Sequence, residues 1–438
     1  MSINDQSKME KSTRAKRRKN TDLSSAVDPL VTKQIVPRLK RRKTIAPTLS
    51  SSPSRFMPEF IGQDNHINIG KTAWHALCAK LNRRELVELL NRIVDINDLE
   101  PPYRMTSTEQ AWSDFQALKS LDTINLVHVN YNHARMSYKH PLSLLTVDVN
   151  NIGTRVSDPY FQKIRFTCKG SRVISPKESW SDPIARKAIF NHIIDQNVEF
   201  VDRHVIRKAL GTRRYIAAQY RPALAKALID YIQPTSILDL SFGWGDRLIG
   251  FEAAKSAKHY IGIDPDQRVI EAGNTLHKAL KQRSKKVALY CAQAESFQYE
   301  MLDQKVDMLY FAPPPFNDER YTDESTQAYL RYTSEHAFVD HFIVKAVTAA
   351  WRVLNDGGVL AFDMGDLRGS NRNEQKRFVD RALNAFKQLP DAYFIGTVGA
   401  RINDRAIKDQ YGARIDPIWL ITKGTPHFVD QALFGKSE

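Results

Sequence analysis

The chain has 438 residues, 42% of them hydrophobic, enough to bury a sizeable core and to form about two folded units. It contains no run of about 18 apolar residues and begins polar and charged, which argues against a membrane span or a secretory leader and predicts an intracellular protein. Cys78, Cys168 and Cys291 are widely spaced with no CxxC pair, so neither a disulfide framework nor a zinc site is expected.

The net charge of +15 is unevenly distributed. Residues 1–60 hold 14 Lys/Arg against 5 Asp/Glu, a balance of +9 that leaves +6 for the rest. Two clusters, "RAKRRK" (Arg14 to Lys19) and "RLKRRK" (Arg38 to Lys43), lie among Ser, Thr, Asp and Pro without hydrophobic periodicity. Such a segment cannot bury apolar surface, so a disordered basic tail is expected over 1–60. It is read as a solvated arm, a nuclear-import signal or an electrostatic arm for nucleic acid.

From residue 61 to 205 the pattern changes. "TAWHALCAKLNRRELVELLNRIVDI" has apolar residues at helical spacing, and "TSTEQAWSDFQALKSL" opens with a capping box at Thr106 or Ser107. "LSLLTVDV" and "KIRFTC" (163–168) alternate or are β-branched and predict short strands. No repeat and no catalytic spacing is present, so a mixed, helix-rich accessory domain that recognises the substrate is expected.

Residues 206–438 read as an α/β unit. "SILDLSFGWGDRLIGFEAAKSA" gives a strand ending at Asp239, a turn containing Ser241, Gly243 and Gly245, and an amphipathic helix. Glycines there let the backbone approach a ligand, and the new helix N-terminus offers amide donors. "HYIGIDPD" ends a second strand at Asp264, where a carboxylate can accept both hydroxyls of a ribose. A third strand, "VALYCAQAESF", brings Gln293 to Glu295 toward an adenine, and "VDMLYF" is the fourth. The helix "AFVDHFIVKAVTAAWRVL" and the strand "GVLAFDMGD" follow, and then "DAYFIGTVGARI" and "IDPIWLITKG", which read as an antiparallel hairpin. Alternating strands and helices predict a parallel sheet covered on both faces.

These residues resemble a class I S-adenosylmethionine-dependent methyltransferase over roughly 206–425. More narrowly, "QYRPALAKALIDYI", "LDLSFGWGDRLIG" and "APPPFNDERY" resemble viral, phage and bacterial DNA methyltransferase-like proteins. The resemblance implies a seven-stranded Rossmann-like sheet and S-adenosylmethionine held by Asp239, Ser241, Gly243, Gly245, Asp264 and Glu295. It also implies Arg221 at the cofactor carboxylate, a role its charge suits.

The resemblance makes the proline turn, Ala312, Pro313, Pro314, Pro315 and Phe316, the catalytic segment. In amino-methyltransferases a D/N/S-P-P-Y/F turn accepts the amine hydrogens of a flipped base through a polar side chain and a proline carbonyl, and its aromatic residue stacks on that base. Prolines lack N–H groups, so the turn presents acceptors without competing donors. Two registers fit this sequence. In one Ala312 takes the polar slot and Pro315 the aromatic slot; in the other Pro313 takes the polar slot and Phe316 is the ring. Neither supplies a side-chain acceptor, although Asn317, Asp318 or Glu319 can swing in. Without a cysteine in the turn, carbon methylation of cytosine is disfavoured. Tyr321 and Tyr329 are candidates for a base pocket, and Trp244 for packing or cofactor contact.

The expected function is methylation of an exocyclic amine of nucleic acid, adenine N6 in DNA above all. The alternative is a catalytically silent subunit that binds nucleic acid or scaffolds a protein partner.

Overall fold

A computed structural model describes residues 58–129, 145–148, 150–214, 216–280, 284–368, 375–376, 378–401 and 415–425. The expected basic tail up to residue 57, with both its clusters, lies outside the described residues. The description that follows concerns the unit Phe56–Glu438.

The helical region opens with α1 (Lys71–Lys80) and α2 (Arg83–Asn97). Asn82 separates them because its side chain accepts from the Glu85 N–H while the Glu85 carboxylate accepts from the Asn82 N–H. The same reciprocal box, Ser107 with Gln110, starts α3 (Thr108–Ser120). Then come α4 (Asp158–Arg165), α5 (Pro176–Ser181), α6 (Pro183–Asp195) and α7 (Arg203–Arg213). One core of this region packs Trp74, Leu90, Phe190 and Leu210 together.

The segment 163–168, expected as a strand, is instead the last turn of α4 and its exit. Asp158–Pro159 after Ser157 is a helix start. Phe161, Gln162, Arg165 and Cys168 are all buried, a helical spacing that overrides the alternation of Ile164, Phe166 and Cys168.

The main sheet has nine strands: β1 (Val127–Val129), β2 (Leu145–Val147), β3 (Ser236–Asp239), β4 (His259–Asp264), β5 (Lys286–Cys291), β6 (Val306–Phe311), β7 (Leu354–Asp363), β8 (Ala392–Arg401) and β9 (Ile415–Lys423). The spatial order is β1-β2-β8-β9-β7-β6-β3-β4-β5. Strands β3 to β7 pair in parallel, whereas β9 runs antiparallel to both β7 and β8. A parallel sheet closed by one reversed strand is the Rossmann-like class I methyltransferase fold. β1 and β2, from the region before residue 205, extend the expected seven strands to nine. β2 pairs in parallel with β8, which satisfies backbone groups that an open edge would leave to solvent.

Alternation along the strands builds two cores. Ile237, Met308, Val359 and Ile418 face one side, against α8 (Pro222–Ile232), α9 (Asp246–Ala253) and α10 (Gln267–Leu280). Their neighbours Leu238, Leu309, Leu360 and Trp419 face the other. There they meet a π-helical turn (Phe338–Val344), the helix Lys345–Trp351 that continues it, and the helix Phe378–Phe386.

Candidate active site

The strand order turns back on itself at β3, with β4 on one side and β6 on the other, so a crevice opens beyond their carboxyl ends. A cavity of about 300 Å³ lies there. Its walls include Ser241, Gly243, Asp264 and Glu295 on one side and Ala312, Pro313 and Pro314 on the other. The cofactor loop and the proline turn expected from sequence therefore share one site.

The loop after β3 is pinned from below. The Leu240 N–H donates to the Tyr310 carbonyl at 2.9 Å and the Phe242 N–H to the Ile263 carbonyl at 2.8 Å. Asp239, fully buried, accepts from Arg247 Nε at 2.8 Å, from the Tyr260 hydroxyl at 2.5 Å and from the Ser241 N–H at 3.0 Å. Arg247 lies over the rings of Tyr220 and Tyr310, at 5.2 and 5.5 Å from their centroids. Burial alone would lower the Arg247 guanidinium, but Asp239 more than offsets this and holds it well above its ordinary value. Asp239 is thus the anchor beneath the loop and is not in the cavity wall, contrary to its expected place around a ligand.

Gly243 and Gly245 both have positive φ, +60° and +71°. Their surroundings differ. A Cβ on Gly243 would meet nothing closer than the Ser241 carbonyl at 3.5 Å, whereas one on Gly245 would come within 2.9 Å of Phe161. Gly243 faces the cavity and Gly245 the helix α4. The Gly243 N–H donates to Asp264 Oδ2 at 2.9 Å and the Asp266 N–H to Oδ1 at 3.0 Å. Burial pushes Asp264 up to about 7 despite these two donors.

Asp246 begins α9 and lines the cavity. Ser157 Oγ donates to its Oδ1 at 2.8 Å, while its buried Oδ2 has no hydrogen-bond partner among the described residues. Burial raises Asp246 to about 7. Glu295 accepts from the Tyr332 hydroxyl at 2.8 Å and from Arg331. Arg221 precedes α8 as its N-cap and is outside the cavity wall, next in sequence to Tyr220, which is in it.

The proline turn is held by its own backbone and by the glycine loop. The Ala312 N–H donates to Ser241 Oγ at 3.0 Å, tying the turn to the glycine loop. The Pro314 carbonyl is taken by the Phe316 N–H at 2.8 Å, and the Pro315 carbonyl by Asp318 at 3.0 Å. The Ala312 and Pro313 carbonyls accept no hydrogen bond among the described residues. Phe316, at φ +48°, turns its ring into the core, 5.1 Å from Phe338 and 5.7 Å from Phe378. It is 6% exposed and cannot stack on a base in this arrangement. The expected stacking role of Phe316 is therefore corrected, and Pro315 is absent from the cavity wall too.

The wall also holds Trp244, Glu319 and Tyr321, candidates from the sequence, together with Tyr220 and Arg247, which the sequence did not single out. Tyr220 donates its one hydroxyl hydrogen to Asp363 at 2.7 Å and so accepts from the Tyr310 hydroxyl at 2.8 Å. Trp244 meets Tyr321 edge-on at 5.4 Å. Tyr329 donates to the Thr322 carbonyl and stands outside the wall.

No family model and no curated protein matches this chain. Among solved structures it is similar to TrmN from Thermus thermophilus (14% identity, 48% of this chain and 51% of that one, TM-score 0.33). It is similar also to an rRNA methylase from Streptococcus thermophilus (12%, 48% and 100%, 0.30) and to an S-adenosylmethionine-dependent methyltransferase from Clostridium acetobutylicum (12%, 43% and 84%, 0.28).

Proposed function

We propose that the chain is an S-adenosylmethionine-dependent methyltransferase acting on an exocyclic amine of nucleic acid, with adenine N6 in DNA as the target the sequence resemblance favours. The observation that carries this reading is one cavity walled by Asp264 at the end of β4 and by the proline turn at the end of β6. Asp264 would accept the ribose hydroxyls, and Gly243 leaves room for the nucleoside. Asp246, with its orphaned buried oxygen, suits the ammonium of the methionine portion. When bound, the cofactor supplies an electrophilic methyl group. Across the cavity the Ala312 and Pro313 carbonyls, which accept no hydrogen bond among the described residues, would serve as acceptors for the amine, where positive charge develops.

Asp264→Ala is expected to weaken S-adenosylmethionine binding at least about tenfold, since charge-assisted hydrogen bonds contribute roughly 1.5–3 kcal/mol. Its raised pKa adds a pH dependence with a definite sign. The ionised carboxylate is the better acceptor, so wild-type affinity should climb as pH rises through about 7. Asp264→Asn should remove the Asp264 share of that rise and leave the share of Asp246, which burial also raises to about 7, so calorimetry between pH 6 and 8, a window of roughly one unit either side, should show a shallower profile. Unchanged affinity in both variants would remove Asp264 from the site.

The basic clusters at 14–19 and 38–43 are proposed to engage the polyanion and, in a nucleated cell, to direct nuclear import. Deleting residues 1–57 should weaken nucleic-acid binding irrespective of sequence and reduce its salt slope. An unchanged slope in a salt titration would exclude an electrostatic arm.

A second reading is favoured by the absence of any side-chain acceptor at Ala312 and by the burial of Phe316: a silent subunit that binds nucleic acid or supports a protein partner. Transfer of a radiolabelled methyl group to DNA, RNA and protein substrates separates the two. Label in the exocyclic amine of a nucleobase supports the first, and cofactor binding without transfer to any substrate supports the second.

A further inference from the structure

We propose that Glu319, oriented by Tyr321, accepts the proton of the target amine and so replaces the polar side chain that the turn lacks at Ala312. This deepens the methyltransferase reading and rests on it. Of the three polar residues after the turn, Asn317 is occupied by Arg320 Nε at 3.1 Å and Asp318 is exposed; Glu319 alone lines the cavity.

Glu319 is fixed in place. Glu319–Arg320 forms a short antiparallel ladder with Lys169–Gly170 of the helical region, and the Ser171 N–H donates to the Asp318 carbonyl at 3.2 Å. Alternation along this extended segment puts Glu319 and Tyr321 on the cavity side and Arg320 opposite. The Tyr321 hydroxyl donates to Glu319 Oε2, and its ring is held by the edge contact with Trp244 of the glycine loop. Tyr321 fixes the orientation of a carboxylate that forms part of the cavity wall.

The electrostatic setting suits a base. Burial raises Glu319 above the ordinary carboxylate range, while the Tyr321 hydrogen bond and the nearby Arg165 of α4 oppose that rise. Cys168, at the exit of α4, is pushed by burial to about 12 and stays neutral. In the step itself the amine lone pair forms the N–CH3 bond as the S–CH3 bond of the sulfonium donor breaks. The sulfur keeps the bonding pair as a neutral thioether, and the surplus amine proton passes to the Glu319 carboxylate and then to solvent.

The test compares wild type with Glu319→Gln, Glu319→Asp and Glu319→Ala in the full chain. Methyl transfer to adenine-containing DNA and RNA oligonucleotides should fall at least about tenfold in Glu319→Gln, the value of one charge-assisted hydrogen bond, with partial retention in Glu319→Asp. At saturating S-adenosylmethionine the acid limb of the pH–rate profile should become shallower in Glu319→Gln, the part owed to Asp246 and Asp264 being retained, a change that a purely structural role would not produce. Calorimetry should show S-adenosylmethionine affinity within about twofold of wild type. A further readout needs no turnover. With S-adenosylhomocysteine present, wild type should bind an adenine-rich oligonucleotide about tenfold more tightly than one carrying unsubstituted purine at each adenine, and Glu319→Ala should lose that preference. Unchanged transfer, pH profile and preference would overturn the assignment, as would a wild type that binds the cofactor but methylates no amine. A wild type that binds no cofactor refutes the function proposed above and removes any reaction for Glu319 to serve.

Discussion

Arg247→Ala should cost roughly 3–5 kcal/mol of unfolding free energy, because it strips the partner from a buried carboxylate. Asp239 is fully buried and would retain the Tyr260 hydroxyl and the Ser241 N–H as donors but no positive charge. The loss also removes the guanidinium from between Tyr220 and Tyr310 and from the Ser241 carbonyl, so the glycine loop loses its floor. Domain stabilities run to about 5–15 kcal/mol, so urea unfolding should show a marked drop in midpoint. Asp239→Asn should be destabilising too, since an amide keeps an acceptor for Tyr260 but leaves the buried Arg247 guanidinium without its counter-charge. Should Arg247→Ala cost under about 1 kcal/mol, in the range of an exposed pair, the ion pair is not what anchors the loop.

This ion pair also marks the boundary of what the sequence discloses. The alternation of Ile237 with Leu238 and of Met308 with Leu309 is visible in the chain, and so is the order of strands that makes the sheet. Asp264 stands out because a strand-end carboxylate after a glycine loop has one obvious geometry. Asp239 looks equivalent, ending its own strand. What separates them is Arg247, eight residues downstream, which meets Asp239 only because the loop folds back over the strand. No periodicity encodes such a contact. Phe316 is a similar case: an aromatic after prolines invites a stacking role, yet its direction is set by a positive φ and by Phe338 and Phe378 waiting in the core. The segment 163–168 was ambiguous locally. Its side chains fit both periods, and the Asp158–Pro159 start decided in favour of helix.

Restoring the missing acceptor is the sharpest test of whether the turn works. Ala312 is the first residue after β6 and lines the cavity, as does Pro313, whose carbonyl accepts no hydrogen bond among the described residues. We propose the register beginning at Ala312, in which an introduced side chain and the Pro313 carbonyl would serve the same amine. Ala312→Asn is expected to raise methyl transfer by about ten- to a hundredfold, which corresponds to roughly 1–3 kcal/mol of added hydrogen bonding where charge develops. Ala312→Ser, shorter, should give a smaller gain. Pro313→Asn should give none, because the carbonyl following it, that of Pro314, is already taken by the Phe316 N–H. Phe316→Ala should act through stability, losing about 3–5 kcal/mol as its core site empties, and should leave affinity for nucleic acid in the surviving folded fraction unchanged. If Glu319 already serves the amine, Ala312→Asn should also rescue part of the activity lost in Glu319→Gln, since either group can accept from the same nitrogen. A gain of Pro313→Asn over Ala312→Asn would shift the register by one residue and draw Phe316 back toward the base. No transfer from any of these variants, with S-adenosylmethionine still bound, leaves the silent subunit as the reading that fits a complete cofactor loop beside an acceptor turn with no acceptor side chain.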